Sequence, residues 1–239
     1  MALHGDAAML LYFDIDGDLA DHDHWHTYEH LHERLSIPGF LRGTRWLARS
    51  ASPRYLVVYE VDSVAVATSD AYLARLNNPT PWTAATMKRL RGMIRGFSTV
   101  VASRGYGLGQ AALSLRFSPD AARQGEARDW LGTQVLPAMA ARRGIASACL
   151  LEPAPPPPMT REQSIRGKDA QLPWVLLATA YDADALDPTS AQLLDAGELA
   201  RHGISGPMEH GTYSLSYTVT AEEVARTPPN PLKTPLEET

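Results

Sequence analysis

One feature constrains this chain more than any other: its order of elements occurs twice. Short apolar stretches rich in β-branched and aromatic residues at 9–15, 40–48, 55–61 and 97–102 predict strands. Helical stretches are predicted at 21–35 and, in two pieces, at 64–76 and 82–95, with Asn77, Asn78, Pro79 and Pro81 as the break. The order is β-α-β-β-α-β, the ferredoxin-like split unit. It returns as a strand at 112–117, a helix at 121–142, strands at 145–151 and 174–181, a helical stretch at 186–202 and a strand at 212–219. Superimposing the halves places Trp25 on Trp130 and Gly39 on Gly144 at an offset of 105, and Pro53-Arg54-Tyr55-Leu56 on Pro173-Trp174-Val175-Leu176 at an offset of 120.

The expected fold class is therefore α+β, with two tandem ferredoxin-like (βαββαβ) units. Repeat 1 spans 1–104 and carries the site, 105–110 is a linker, and 111–220 is a degenerate repeat 2. The extra residues of the second half fall in 153–172, whose PAPPPP opening favours extended polyproline conformation and a surface excursion. A Pro-rich tail, 221–239, follows. A lone split unit leaves one sheet face bare, yet Leu10, Val57, Val58, Leu176 and Leu177 sit in near-continuous apolar runs that ask for cover on both faces. Packing the two sheets against each other as an α+β barrel, helices outside, meets that need within one chain and leaves a homodimer optional.

Composition narrows the function classes. With 22 basic and 27 acidic residues the formal charge is −5, which argues against nucleic-acid or anionic-membrane partners. No apolar run reaches the roughly 18–20 residues of a membrane span. The first apolar stretch has no basic segment before it and meets Asp14 and Asp16, unlike a signal peptide. The single cysteine, Cys149, excludes an internal disulfide and is expected to be inert core, in keeping with a reducing cytoplasm.

The densest chemistry lies in 21–34, which holds five of the eight histidines. On a regular helix His22, His26, Glu29, His30 and Glu33 cover about 100° of one face, and His26, His30 and Glu33 lie within about 60°. That spacing suits a general base with a carboxylate partner, or a two-histidine, one-carboxylate metal set drawn from His22, His26, His30 and Glu33. A solvated stripe is the plain alternative. The repeat argues against it: at the 105 offset His26 becomes Leu131, His30 becomes Val135, Glu33 becomes Ala138 and Arg34 becomes Met139. An apolar face in the second half should point inward, and its polar copy should then line an interior cavity. Pro137 is the one residue that can shift the phase.

Trp25-His26-Thr27-Tyr28-Glu29-His30-Leu31-His32-Glu33-Arg34-Leu35, followed by Ile37-Pro38-Gly39-Phe40, resembles the signature of dimeric α+β barrel proteins of the EthD group. Pro53–Leu56 with Tyr59-Glu60, and Pro79–Trp82, resemble later blocks of that group, so the likeness covers roughly 9–104. His26 stands where relatives have Tyr, and His32 where they have Pro. The resemblance implies the barrel fold and a pocket near His30. It implies a reaction only loosely, since such barrels include cyclases, lyases, cofactor-free monooxygenases and haem enzymes.

The expected function is a small-molecule enzyme on an apolar or aromatic metabolite, of lyase, isomerase or cyclase type, with no organic cofactor and no bound metal. His30 is the expected acid/base, with Glu33 or Glu29 orienting it and His26 as a second donor. Arg34 would hold negative charge, and Tyr12, Tyr28, Tyr55, Tyr59 and Trp82 are candidate substrate contacts, although Tyr28 lies about 160° from His30 on a regular helix. A non-catalytic ligand binder, or a cofactor-free or metal-dependent oxygenase, are the alternatives. Other motifs carry less. Asp14-Ile15-Asp16-Gly17-Asp18 resembles a phosphatase loop but lacks its Thr and its later Lys block, and reads as a turn into a helix capped by Asp21 or Asp23. Gly105-x-Gly107-x-Gly109 precedes a strand and not a helix, so it reads as a linker. Lys88, Arg91 and Arg95 are spaced for a solvated helix face, and Arg42, Arg45 and Trp46 for a strand surface or an anion anchor.

Overall fold

Successive side chains of a strand point to opposite faces, and here both faces are buried. Met9, Val57 and Tyr59 pack under helices, while Leu10, Tyr12, Leu56 and Val58 join a second cluster with Ala112, Val175 and Leu177. In this computed structural model, which describes residues 2–227, that second cluster is the interior of a closed barrel. Its strands are β1 (Ala7–Ile15), β2 (Phe40–Ser50), β3 (Tyr55–Val61), β4 (Leu90–Gly105), β5 (Ala111–Phe117), β6 (Ile145–Pro153), β7 (Ala170–Gln171), β8 (Trp174–Ala180) and β9 (Glu209–Thr220). The order β1-β3-β2-β9-β5-β8-β6-β4 returns to β1, giving eight antiparallel strands. The two-residue β7 runs parallel to β4 at Ile94 and Arg95. Both joins between the halves, β2 with β9 and β4 with β6, are made inside this one chain. Within each half the pairing order is the same, β4-β1-β3-β2 and β9-β5-β8-β6.

Helices cover the outside. In the first half Leu19–Trp25, a five-residue π turn His26–His30 and Leu31–Leu35 run as one rod, and in the second Gln124–Trp130, the π turn Leu131–Val135 and Leu136–Ala140 do the same. Each widened turn closes with an i→i+5 bond, Leu31 N–H to the His26 carbonyl and Leu136 N–H to that of Leu131. Gly39 and Gly144 follow these rods at φ +91° and +95°, a left-handed corner that accounts for their coincidence in the sequence.

Several expected boundaries are corrected. The helix predicted over 82–95 ends at Met87; β4 begins at Leu90, because Gly92, Ile94 and Gly96 are poor helix formers. Arg91 and Arg95 therefore lie on a strand, and no helix face carries them with Lys88. The 64–76 stretch opens as a 3-10 turn, Val64–Thr68, before the Ser69 side chain caps Asp70–Asn77. Asp195 likewise divides 186–202 into Leu186–Leu193 and Ala196–Arg201. The acidic turn caps its helix with Asp18, which accepts from Ala20 N–H, in place of Asp21 or Asp23. The tail opens with a helix, Ala221–Arg226, fixed by a reciprocal Thr220–Glu223 cap; 228–239 lies outside the described residues.

Candidate functional site

The rod over the first half buries His22, His26, His30 and Arg34, a set four residues apart, against β1 and β3. The π turn, with more residues per turn than an α-helix, offsets the angular drift of a four-residue repeat along the rod. The second half buries Ala127, Leu131, Val135 and Met139 on the equivalent rod, so the widened turn belongs to the fold and only its side chains distinguish the site. Glu33, placed on this face by regular-helix geometry, instead turns toward Arg75 at 3.3 Å. Its copy Ala138 is half-buried too.

His30 packs on the Trp25 indole with 4.3 Å between ring centroids, and 5.8 Å separates it from His26. Its Nδ1 has no partner. Neither does Nη1 of Arg34, the Tyr59 hydroxyl or Oε1 of Glu162. These groups line a cavity of about 30 Å³, room for about one water, whose apolar walls include Met9, Val57, Leu76, Met87 and Met93. Burial, reinforced by the Arg34 guanidinium, holds His30 well below its ordinary pKa of 6.5; burial and then Arg45 do the same to His26. Both imidazoles are neutral at pH 7. Burial raises the Tyr59 hydroxyl, with Arg34 opposing it.

The remaining candidates separate. Glu29 accepts from Thr80 Oγ1 at 2.6 Å and Thr83 Oγ1 at 3.0 Å, and Thr83 in turn accepts from the Trp25 indole at 3.2 Å. It ties helix Pro81–Met87 to the rod and orients Trp25, and so does not orient His30. Tyr12 faces the barrel interior, 2.7 Å from Ser114 Oγ, because its place in β1 alternates away from the helices. Tyr28 and Trp82 pack around His24 outside the cavity. Tyr55 donates to Asp23 at 3.1 Å, and burial with that carboxylate pushes its pKa up to about 12. Arg45 donates to the Asp23 carbonyl and to Thr27, Arg42 pairs with Glu60 at 2.7 Å, and Trp46 is interior. Cys149 is buried, its thiol pushed up to about 12 by burial. Among the described residues no group of three or more His, Cys, Asp or Glu side chains stands in metal-holding geometry, so His22, His26, His30 and Glu33 do not converge as one ligand set.

Sequence reasoning missed the other wall. The 153–172 excursion folds back over the first half, carrying helix Arg161–Arg166 onto the cavity. Glu162 forms a buried ion pair with Arg34, and Arg166 forks onto Asp169 at 2.6 and 2.8 Å. The segment touches the β4 backbone so closely that a Cβ on Gly96 would stand 2.8 Å from that of Leu172. The available signal was the spacing of Glu162, Arg166 and Asp169, four and three apart, which puts three charges on one side of a short helix and its exit.

No family model matches the chain, and no curated protein does. Solved structures do. An anthrone oxidase-like protein is 12% identical with a TM-score of 0.63, over 94% of this chain and 97% of its own. A candidate monooxygenase from Fusobacterium nucleatum is 9% identical with a TM-score of 0.59, over 91% and 96%. A haem-binding protein from Thermus thermophilus is 11% identical with a TM-score of 0.52, over 92% and 94%. At such identities the likeness is one of fold, and it makes this chain an α+β barrel protein. Haem itself does not fit the residues present: a cavity of about 30 Å³ closed by the Arg34–Glu162 pair has no space for a macrocycle, although His30 offers a free ring nitrogen.

Proposed function

We propose that the chain is a small-molecule enzyme in which His30 removes a proton from an apolar or aromatic substrate. The observation that carries this reading is the unpartnered Nδ1 of a neutral, buried His30 in the same cavity as the free Nη1 of Arg34 and the free Tyr59 hydroxyl. Of the ten buried side-chain polar atoms without partners among the described residues, these four meet in one cavity, and a ligand that pairs with them removes their cost. His30 accepts the proton. Arg34 and Tyr59 receive the negative charge that develops on the substrate, in a low-dielectric pocket where such interactions are strong. Protonated His30 gains stability from that new anion and can return the proton elsewhere, which suits isomerase, cyclase or lyase chemistry. His26 stands behind it as a second imidazole.

The names of the neighbours favour a second reading that shares the first step. In an oxidase-like reaction the carbanion meets O2, and a methylene plus O2 gives a carbonyl plus water. The EthD-like ancestry and the origin of the two halves as a tandem ferredoxin-like repeat are supported here by the signature in 25–40 and by the common order of elements. The test is a panel of enolisable aromatic ketones and phenols incubated in D2O and followed by proton NMR. Wild type is expected to exchange a substrate C–H, and His30→Ala to lose at least 100-fold of that rate while keeping its fold. Oxygen consumption during the assay selects the oxidase-like branch. Undiminished exchange in His30→Ala would remove His30 from the chemistry.

A further inference from the structure

The cavity at His30 is too small for a substrate, but a larger space adjoins it. Between the proline run of 153–172 and the edge of β4 lies a groove of about 370 Å³, walled by Phe97, Leu172 and Pro153–Pro157, with Gln163 and Gln171 along it. Ligand pockets fall in the range of about 300–1,000 Å³, with apolar walls and a few placed polar groups. Arg95 lines both spaces.

At that junction one carboxylate serves two guanidiniums. Three guanidiniums, Arg34, Arg95 and Arg166, face two carboxylates, Glu162 and Asp169, with all five side chains at most 8% exposed. Arg34 is paired with Glu162, and Arg166 takes both oxygens of Asp169. Arg95 is left with Asp169 at 3.6 Å and a bond to the Tyr72 hydroxyl. Asp169 is thus shared by two guanidiniums, and Arg95 holds the longer of its two contacts. A buried guanidinium that must share its counter-ion is costly, so a site built this way favours a ligand that supplies one negative charge. We propose that the groove binds a monoanionic aromatic acid, its carboxylate or equivalent acid group on Arg95 and its ring against Phe97 and the prolines, with the reacting end turned into the cavity of His30. This names the substrate class of the preceding reading, and rests on it only in taking the His30 cavity as the place of reaction.

The probe is 1-naphthoate, with 1-naphthamide as its uncharged isostere, each titrated calorimetrically into the full chain at low salt. Naphthoate is expected to bind at least tenfold tighter than the amide. Arg95→Gln should erase that ratio, and Arg95→Lys should keep most of it, with thermal melts showing both variants folded. Equal affinities in wild type, no binding of either compound, or an acid preference that survives Arg95→Gln would each overturn the proposal. The wild-type comparison needs no variant, so a misfolded Arg95→Gln cannot shield it. A chain that binds naphthoate but exchanges no substrate proton sinks the general-base reading alone, and proton exchange without any acid preference sinks this one alone.

Discussion

At the scale of single residues, the first half stakes stability on keeping imidazoles neutral. His22, His26 and His30 all have pKa values depressed by burial, so an unfolded chain binds protons that the folded one refuses. Their contribution is complete above about pH 6.5 and drains away as pH falls from there toward the folded values, at up to about 1.4 kcal/mol per pH unit for each histidine. Urea midpoints measured from pH 7.5 to 5 should fall steeply, and His26→Leu should flatten that slope. An unchanged slope would mean that His26 meets solvent. Val135, the counterpart of His30, has no such role: Val135→Ala removes buried methyls and should destabilise by roughly 1–3 kcal/mol in a denaturant melt while sparing chemistry in the folded fraction. The inward direction of the stripe was legible in the sequence, because Leu131, Val135 and Met139 declared which face is buried. The partners of the carboxylates were not. Regular-helix angles put Glu33 on one face with His26 and His30, but its side chain reaches Arg75, and Arg34 lines the cavity with His30.

At the scale of elements, the strands and their order could be read from apolar runs and turn residues, whereas the 153–172 segment could not. Its proline run carries no periodicity, and what holds it down is a set of ion pairs with residues far away in sequence, Arg34 and Arg95. That makes it a latch whose strength is testable. Glu162→Ala leaves Arg34 buried and unpaired, a change that costs about 3–5 kcal/mol when a buried pair is broken. Past its proline run the segment pairs with the sheet through the two residues Ala170 and Gln171, so the cost should appear locally. Trypsin is expected to cut at Arg161, Arg166 or Lys168 at least tenfold faster in Glu162→Ala than in wild type, with little change in the global melt. Equal cleavage rates would show that the pair does not fasten the segment.

At the scale of the molecule, the barrel interior draws on both halves. Leu10, Tyr12 and Val58 share one cluster with Ala112, Val175 and Leu177, and Tyr12 is 2.7 Å from Ser114 across it. Neither half can keep this surface buried alone, so calorimetry should give one cooperative transition, followed alike by tryptophan fluorescence and far-UV dichroism. Two resolved transitions would contradict a shared core. The single chain also has a geometric freedom that a symmetric pair of identical subunits lacks. In a two-fold assembly every loop occurs twice, so a long hairpin that closes one cavity must close the other. Here β2 and β3 are joined by residues 51–54, while their counterparts β6 and β8 are separated by residues 154–173. The long connection belongs to the second half and covers the first, so one side of the barrel keeps a cavity while the matching position on the other is filled by Leu131, Val135 and Met139. Covalent linkage lets the two halves of this barrel differ, so the polar stripe His22, His26, His30 and Arg34 on one rod faces no constraint from the apolar stripe Ala127, Leu131, Val135 and Met139 on the other.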